Sequence, residues 1–140
     1  MDSTVPRSSS VAVAVTVASD REPVECEGSY VPAADGFILE FYIGGDKFVI
    51  EHAAGDGNGS GGYTRVAAFG DMSYDIKISD EKSDTLLSTP YGKVRFDVVP
   101  LLREVDMDAE RVNIKLKYLL AADGVGEMER AVEVTARFLG

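Results

Sequence analysis

One histidine, one cysteine and 24 carboxylates are what this 140-residue chain offers for proton transfer, thiol chemistry or metal binding. His52 follows Phe48 and Ile50 at intervals of two, so in an extended segment it turns the same way as those apolar side chains, at the end of a strand. A single histidine without a neighbouring cysteine falls short of a zinc ligand set, and Cys26 has no second thiolate to join it. General acid or base work by His52 needs a partner that the sequence does not single out. The carboxylates Asp35, Glu40, Glu51 and Asp56, and the group Asp106, Asp108 and Glu110, show no spacing that selects a glycosidase-like pair. Ser88 and Thr89 lack the Gly-x-Ser-x-Gly setting of a nucleophile elbow. The residues therefore name no catalytic group, no metal site and no cofactor, and they point away from an enzyme.

Arg130 is the one charge out of place. It stands on the face otherwise made by Met128, Val132, Val134 and Ala136. An inward arginine requires a buried carboxylate or a polar cavity, because an unpaired buried charge is very costly. Otherwise it lies near the open end of its strand, or a bulge shifts the register there. If it does face inward, Arg130 is the first anchor to consider for an anionic ligand.

The run Gly-Asp-Gly-Asn-Gly-Ser-Gly-Gly at residues 55–62 invites a phosphate or calcium reading and supports neither. A P-loop ends in Lys-Ser or Lys-Thr ahead of a helix, whereas Tyr63, Thr64 and Arg65 open another β-like segment. A calcium loop needs a terminal bidentate glutamate that is missing. Such glycine density predicts a mobile hairpin loop at residues 56–61 that tolerates shortening.

The elements that must position these residues are strands. Val11, Val13, Val15 and Val17 alternate with small residues, as do Phe37, Leu39, Phe41 and Ile43 with their neighbours. Gly44-Gly45-Asp46 marks a tight hairpin between that strand and the next. Tyr74, Ile76 and Ile78 share one face of a later strand, and Val94, Phe96 and Val98 one face of another. Residues 101–108 read either as strand or as a single helical turn. Val112, Ile114, Leu116, Tyr118 and Leu120 then pair with a final strand to give a long C-terminal hairpin, its outer faces setting Lys and Arg against Glu. Eight to ten short strands in sequential hairpins predict an all-β, antiparallel barrel of meander topology, a two-sheet sandwich being the alternative. Residues 1–10 read as a flexible N-terminal segment and residues 11–140 as one domain.

Acidic residues outnumber basic ones 24 to 14, for a net charge of −10. That surface repels phosphate backbones and anionic lipid, so nucleic acid and membrane are disfavoured as partners. A homo-oligomer is compatible with the composition. A lone cysteine and the lack of a leader-like or membrane-spanning stretch make the cytoplasm the default compartment.

The segment Leu87-Ser88-Thr89-Pro90-Tyr91-Gly92, with the alternating strands that follow it, resembles the uncharacterised bacterial YwiB-like family of small proteins, which is similar in fold to lipocalin-like, or calycin, β-barrels. Glu27-Gly28-Ser29-Tyr30 and residues 37–42 look like that family's early Gly-aromatic strand and the aromatic strand after it. The chain departs from the pattern at Ile43-Gly44-Gly45-Asp46, at Arg65-Val66-Ala67 and at Val98-Val99-Pro100. The resemblance implies a barrel and carries no settled activity. Within such a barrel Pro90, Tyr91 and Gly92 form a structural turn whose tyrosine can plug the rim. His52, Tyr118 and Arg130 become the expected contacts of a small, partly apolar or anionic ligand. The alternatives are a structural or protein-interaction module with a fully packed core, and an enzyme of unidentified type.

Overall fold

The computed structural model describes residues 11–18, 22–33, 35–55, 62–71, 73–122, 124 and 126–139. Residues 1–10 and the glycine-rich residues 56–61 lie outside these, and with them the expectations of a flexible N-terminal segment and a dispensable loop. Ten strands account for nearly all of the described chain: β1 (Val11–Ala18), β2 (Val24–Ala33), β3 (Gly36–Ile43), β4 (Asp46–Ala53), β5 (Tyr63–Phe69), β6 (Tyr74–Ile78), β7 (Ser83–Thr89), β8 (Gly92–Met107), β9 (Arg111–Ala122) and β10 (Gly126–Phe138). Among the described residues there is no helix. Residues 101–108, which the sequence left between strand and helical turn, continue β8 as strand to Met107.

The strands follow from alternation. Phe37, Leu39 and Phe41 are buried on β3 while the residues between them are only half-buried, and β9 repeats the pattern with Val112, Ile114, Leu116 and Tyr118. Side chains of one parity fill the interior and the other parity meets solvent. The β3–β4 hairpin closes through two residues, Gly44 and Gly45, at φ of 60° and 93°. Both are left-handed, as the turn that matches strand twist requires, and only glycine takes that conformation without strain. Gly28 answers a different demand. A β-carbon there would run into the backbone oxygen of Glu40 on the neighbouring strand, so its lack of a side chain lets β2 and β3 approach beneath Phe41.

The strands form one antiparallel sheet in the order β6-β5-β4-β3-β2-β1-β10-β9-β8-β7. Consecutive strands are neighbours except β6 and β7, which stand at the two ends of that order, and the pairing of β1 with β10 joins the two halves of the chain. This is the expected meander, nearly closed into a barrel. The interior is packed across its middle by Val13, Val15, Leu39, Ile50, Ile114 and Val134. Truncating a side chain such as Leu39 or Ile50 to alanine would cost about 2–5 kcal/mol.

Closure fails at one place, between β6 and β7. Ser73 and Ser88 exchange both backbone hydrogen bonds there, at 2.9 and 2.8 Å. The rest of that seam is held by side chains: the Thr85 hydroxyl donates to the Asp75 carbonyl at 2.8 Å and the Ser83 hydroxyl to the Lys77 carbonyl at 2.9 Å. Hydroxyls stand where ladder amides would be. A second open edge runs along β8 beyond Val98, where β7 ends and only β9 remains paired. Pro100, a register shift after it, Glu104 and Asp106 blunt that edge against pairing with another chain.

Two expectations need correction. The C-terminal hairpin has the predicted strands, but only Lys115 meets a glutamate directly across it, Glu133; Arg111 faces Arg137, and Lys117 faces Ala131. The charges alternate with the right period but fall out of phase across the pair. Tyr91 does not plug the rim. It is 99% exposed at the tip of the β7–β8 hairpin, because Pro90 and Tyr91 are the two residues outside the Thr89–Gly92 pair and point away from the sheet. The turn itself is held by Thr89, whose hydroxyl donates to the Gly92 carbonyl at 2.8 Å and accepts from the Tyr91 amide at 3.1 Å.

The seam gives a direct expectation. Thr85→Val keeps the volume and removes the hydroxyl that ties β7 to β6, so denaturant unfolding should show a loss of about 1 kcal/mol. Amide exchange at Ser73 and Ser88 should quicken while β9 stays protected. Unchanged exchange at the seam would show that the backbone bridge alone holds it.

Candidate functional site

Because neighbouring strands run in opposite directions, the barrel has two ends of different character. One end carries the connections β2–β3, β4–β5, β6–β7 and β8–β9. The other carries the tight turns β3–β4, β5–β6 and β7–β8 together with the β9–β10 connection. His52 is near the first end, Tyr118 and Arg130 near the second. Along β5 and β6 the rung holding His52, Thr64 and Ile78 is four residues from the rung holding Ala68 and Tyr74, about 13 Å of strand. The three residues expected to act together are thus divided.

At the second end a cavity of about 190 Å³ opens between the two sides of the seam. Tyr74 and Ile76 come from β6, Thr85 and Leu87 from β7 and Phe96 from β8. Tyr118 and Leu120 from β9, with Met128 and Arg130 from β10, complete the wall. Arg130 is directly opposite Tyr118 in the β9–β10 ladder, so its place on the apolar face is real and no bulge removes it. It is also close to its strand's end, where Met128 is exposed and the cavity admits solvent. Among the described residues no carboxylate comes within salt-bridge reach of Arg130, and its hydrogen-bond geometry amounts to a long 3.9 Å approach of Nη1 to the Met128 sulfur. Burial pushes the Tyr118 hydroxyl up to about 12, with Tyr74 adding to the rise and Arg130 opposing it. Tyr74 is raised by the same burial, again opposed by Arg130. Both phenols are therefore neutral donors across the physiological range.

His52 is half-buried at the opposite end. Its ring lies 5.3 Å from that of Phe37, and its Nδ1 is 3.1 Å from the hydroxyl of Thr64, which is wholly buried. Burial is the main force holding the imidazole below its ordinary value, and the charge of Arg103 adds to it, against a weaker pull from Asp35. Arg103 is a residue the sequence reading missed. The shift of register after Pro100 places Arg103 opposite the buried Leu116, so the arginine takes the inward parity that Phe96 and Val98 hold before the shift. A proline inside a strand was the available signal.

The roomier depressions are on the outer surface and carry mixed charge. One, about 700 Å³, runs along the outside of the seam past Arg65, Asp75, Lys77 and Asp84. Arg65 there sits between Glu51 at 3.4 Å and Asp75 at 3.2 Å, although its Nε approaches Asp75 at an angle that makes no hydrogen bond. Exposed pairs of this kind contribute little to stability, and they commit Arg65 to the carboxylates beside it. The described residues hold no cluster of three His, Cys, Asp or Glu side chains able to grip a metal ion.

The lowered His52 value fixes a pH response. The unfolded chain takes up this proton at a higher pH than the folded one, so acid favours unfolding between the two values. Stability is therefore complete above the ordinary 6.5 and falls as the pH drops below it. Between about pH 7.5 and about pH 5.5 the native protein should lose more melting temperature than His52→Gln does. Equal losses would show that the imidazole is not perturbed.

Comparison with known proteins bears on the fold alone. No family model matches the chain, and no curated protein matches it. Among solved structures, the ywiB protein from Bacillus subtilis superposes with a TM-score of 0.67 at 14% identity, covering 94% of this chain and 91% of that one. At that identity the two share an architecture over nearly their whole lengths, and the chain has a YwiB-like fold.

Proposed function

We propose that this protein is a non-catalytic binding module whose end cavity receives a small, partly apolar ligand in contact with Tyr118 and Arg130. The observation that carries the reading is Arg130 itself. A half-buried guanidinium on the apolar face of a strand, without a carboxylate partner among the described residues, is an expensive feature to keep. A bound molecule that accepts its hydrogen bonds offsets that cost. The cavity is small beside those that hold drug-sized molecules, and its walls are apolar except for one guanidinium, two phenols and Thr85. Kinship with lipocalin-like, or calycin, barrels belongs to the same proposal and is supported by the consecutive antiparallel meander. A half-buried lone Cys26, its thiol pushed up by burial, suits a reducing compartment such as the cytoplasm.

A second reading has its own support. The middle of the barrel is solid, and Tyr91, Leu86, Leu101 and Met107 leave large apolar surface in solvent. These favour a protein-interaction role, with a second copy as one partner. The enzyme reading has less behind it, since the partner His52 finds is a wholly buried threonine hydroxyl that no substrate could reach.

Native mass spectrometry of the protein purified from its own host separates these readings. The ligand-binding reading expects a retained small molecule of about ten non-hydrogen atoms, a size set by the cavity. Arg130→Met should lose that molecule while remaining folded. A ligand-free protein whose stability and small-molecule binding are indifferent to Arg130→Met would dismiss this reading, and a ligand-free dimer would favour the second.

A further inference from the structure

The wall of the end cavity carries one positive charge and no negative one. Arg130 brings a guanidinium that is always charged, and Tyr74 and Tyr118 bring two hydroxyls with no protein partner among the described residues. Thr85 has already given its proton to the Asp75 carbonyl. No aspartate or glutamate lines the cavity. An alcohol or sugar can donate to the phenol and Thr85 oxygens but leaves the guanidinium's charge unanswered, and an ammonium is repelled by it. An anionic, acceptor-only head answers that charge.

Resting on the ligand-binding reading above, we infer that the ligand is a monocarboxylate with a one-ring apolar body, its carboxylate held by the Arg130 fork and the Tyr118 hydroxyl and its ring packed among Ile76, Leu87, Phe96 and Leu120. The planar guanidinium can give one N–H to each of a carboxylate's two oxygens, which a spherical cation cannot. One positive side chain balances one negative charge. A phosphate ester carries nearly two and would add to a chain already at −10. Size agrees. A cavity of about 150 Å³ holds benzene, and a water molecule takes up about 30 Å³. The 190 Å³ here thus admits a ring plus a group slightly larger than one water, and excludes two fused rings or a long acyl chain.

The site is also built so that its donors stay donors. Arg130 lies opposite Tyr118 on paired strands, and Tyr74 reaches in from across the seam, so one ligand head ties β10 and β9 to β6. Binding should therefore tighten the closure that the backbone leaves incomplete.

Titrations of benzoate, toluene and phenyl phosphate into the purified full chain, followed by calorimetry and by amide shifts at Leu120 and Ile76, test the inference. Benzoate should bind about tenfold to hundredfold more tightly than toluene, the increment of a charge-assisted hydrogen-bonded pair. Arg130→Met should erase that difference, with Arg130→Lys intermediate. Benzoate binding should also slow amide exchange at Ser88. Toluene and benzoate binding equally, or phenyl phosphate binding most tightly, would overturn the carboxylate assignment while the ligand-binding reading stands. If none of the three shifts the cavity amides, both fall. Should Arg130→Met fail to fold, Tyr118→Phe with Arg130→Lys supplies the same contrast, each removing part of the benzoate preference.

Discussion

A strand is stable only when the amides and carbonyls along both its edges are answered, and a meander of ten strands can answer the last of them only by bringing β6 round to β7. Here that meeting is made by one backbone pair, Ser73 with Ser88, and two side-chain hydroxyls on carbonyls. The reason lies in length. β6 has five residues and β7 seven, while β8 next to β7 has sixteen and the ladder of β9 and β10 runs for twelve registered pairs. The long strands set the curvature, and the short ones are left to span what remains. Where two sheets of side chains cannot interdigitate across a full ladder, space is left inside, and the end cavity lies along this seam, with walls from β6 and β7 as well as from the ladder opposite.

Two arginines reach the interior side by different routes. Arg130 follows the regular alternation of β10 and comes to lie opposite Tyr118. Arg103 arrives through the shift in register beyond Pro100, which reverses the parity of the second half of β8. Their consequences differ because their surroundings differ. Arg130 has two phenols and open volume before it. Arg103 has the imidazole of His52, whose protonation it disfavours, together with the carboxylate of Asp35, which favours it. The packed middle of the barrel, Val13, Leu39, Ile50, Ile114 and their neighbours, keeps the two charged ends apart. At the His52 end Tyr30 stacks on Phe37, with Phe138 edge-on to Tyr30, and Phe37 in turn lies beside the imidazole.

Strand identity was legible in the amino-acid sequence because the period of two is a local property, set by where each side chain points relative to its neighbours. The Gly44-Gly45 turn, the inward parity of Tyr118 and Arg130 and the meander order all follow from nearest-neighbour rules. Tyr91 at the hairpin tip and the phase of the charges across β9 and β10 were not legible, since both depend on which residue a partner strand sets opposite, a matter of register. The same holds for Arg103, hidden by a single register shift. That His52 and Arg130 sit at opposite ends, that β6 and β7 barely pair and that Tyr74 joins Tyr118 across the gap were decided only by closure of the sheet. Closure depends on the summed stagger of ten strands, a quantity no segment carries by itself.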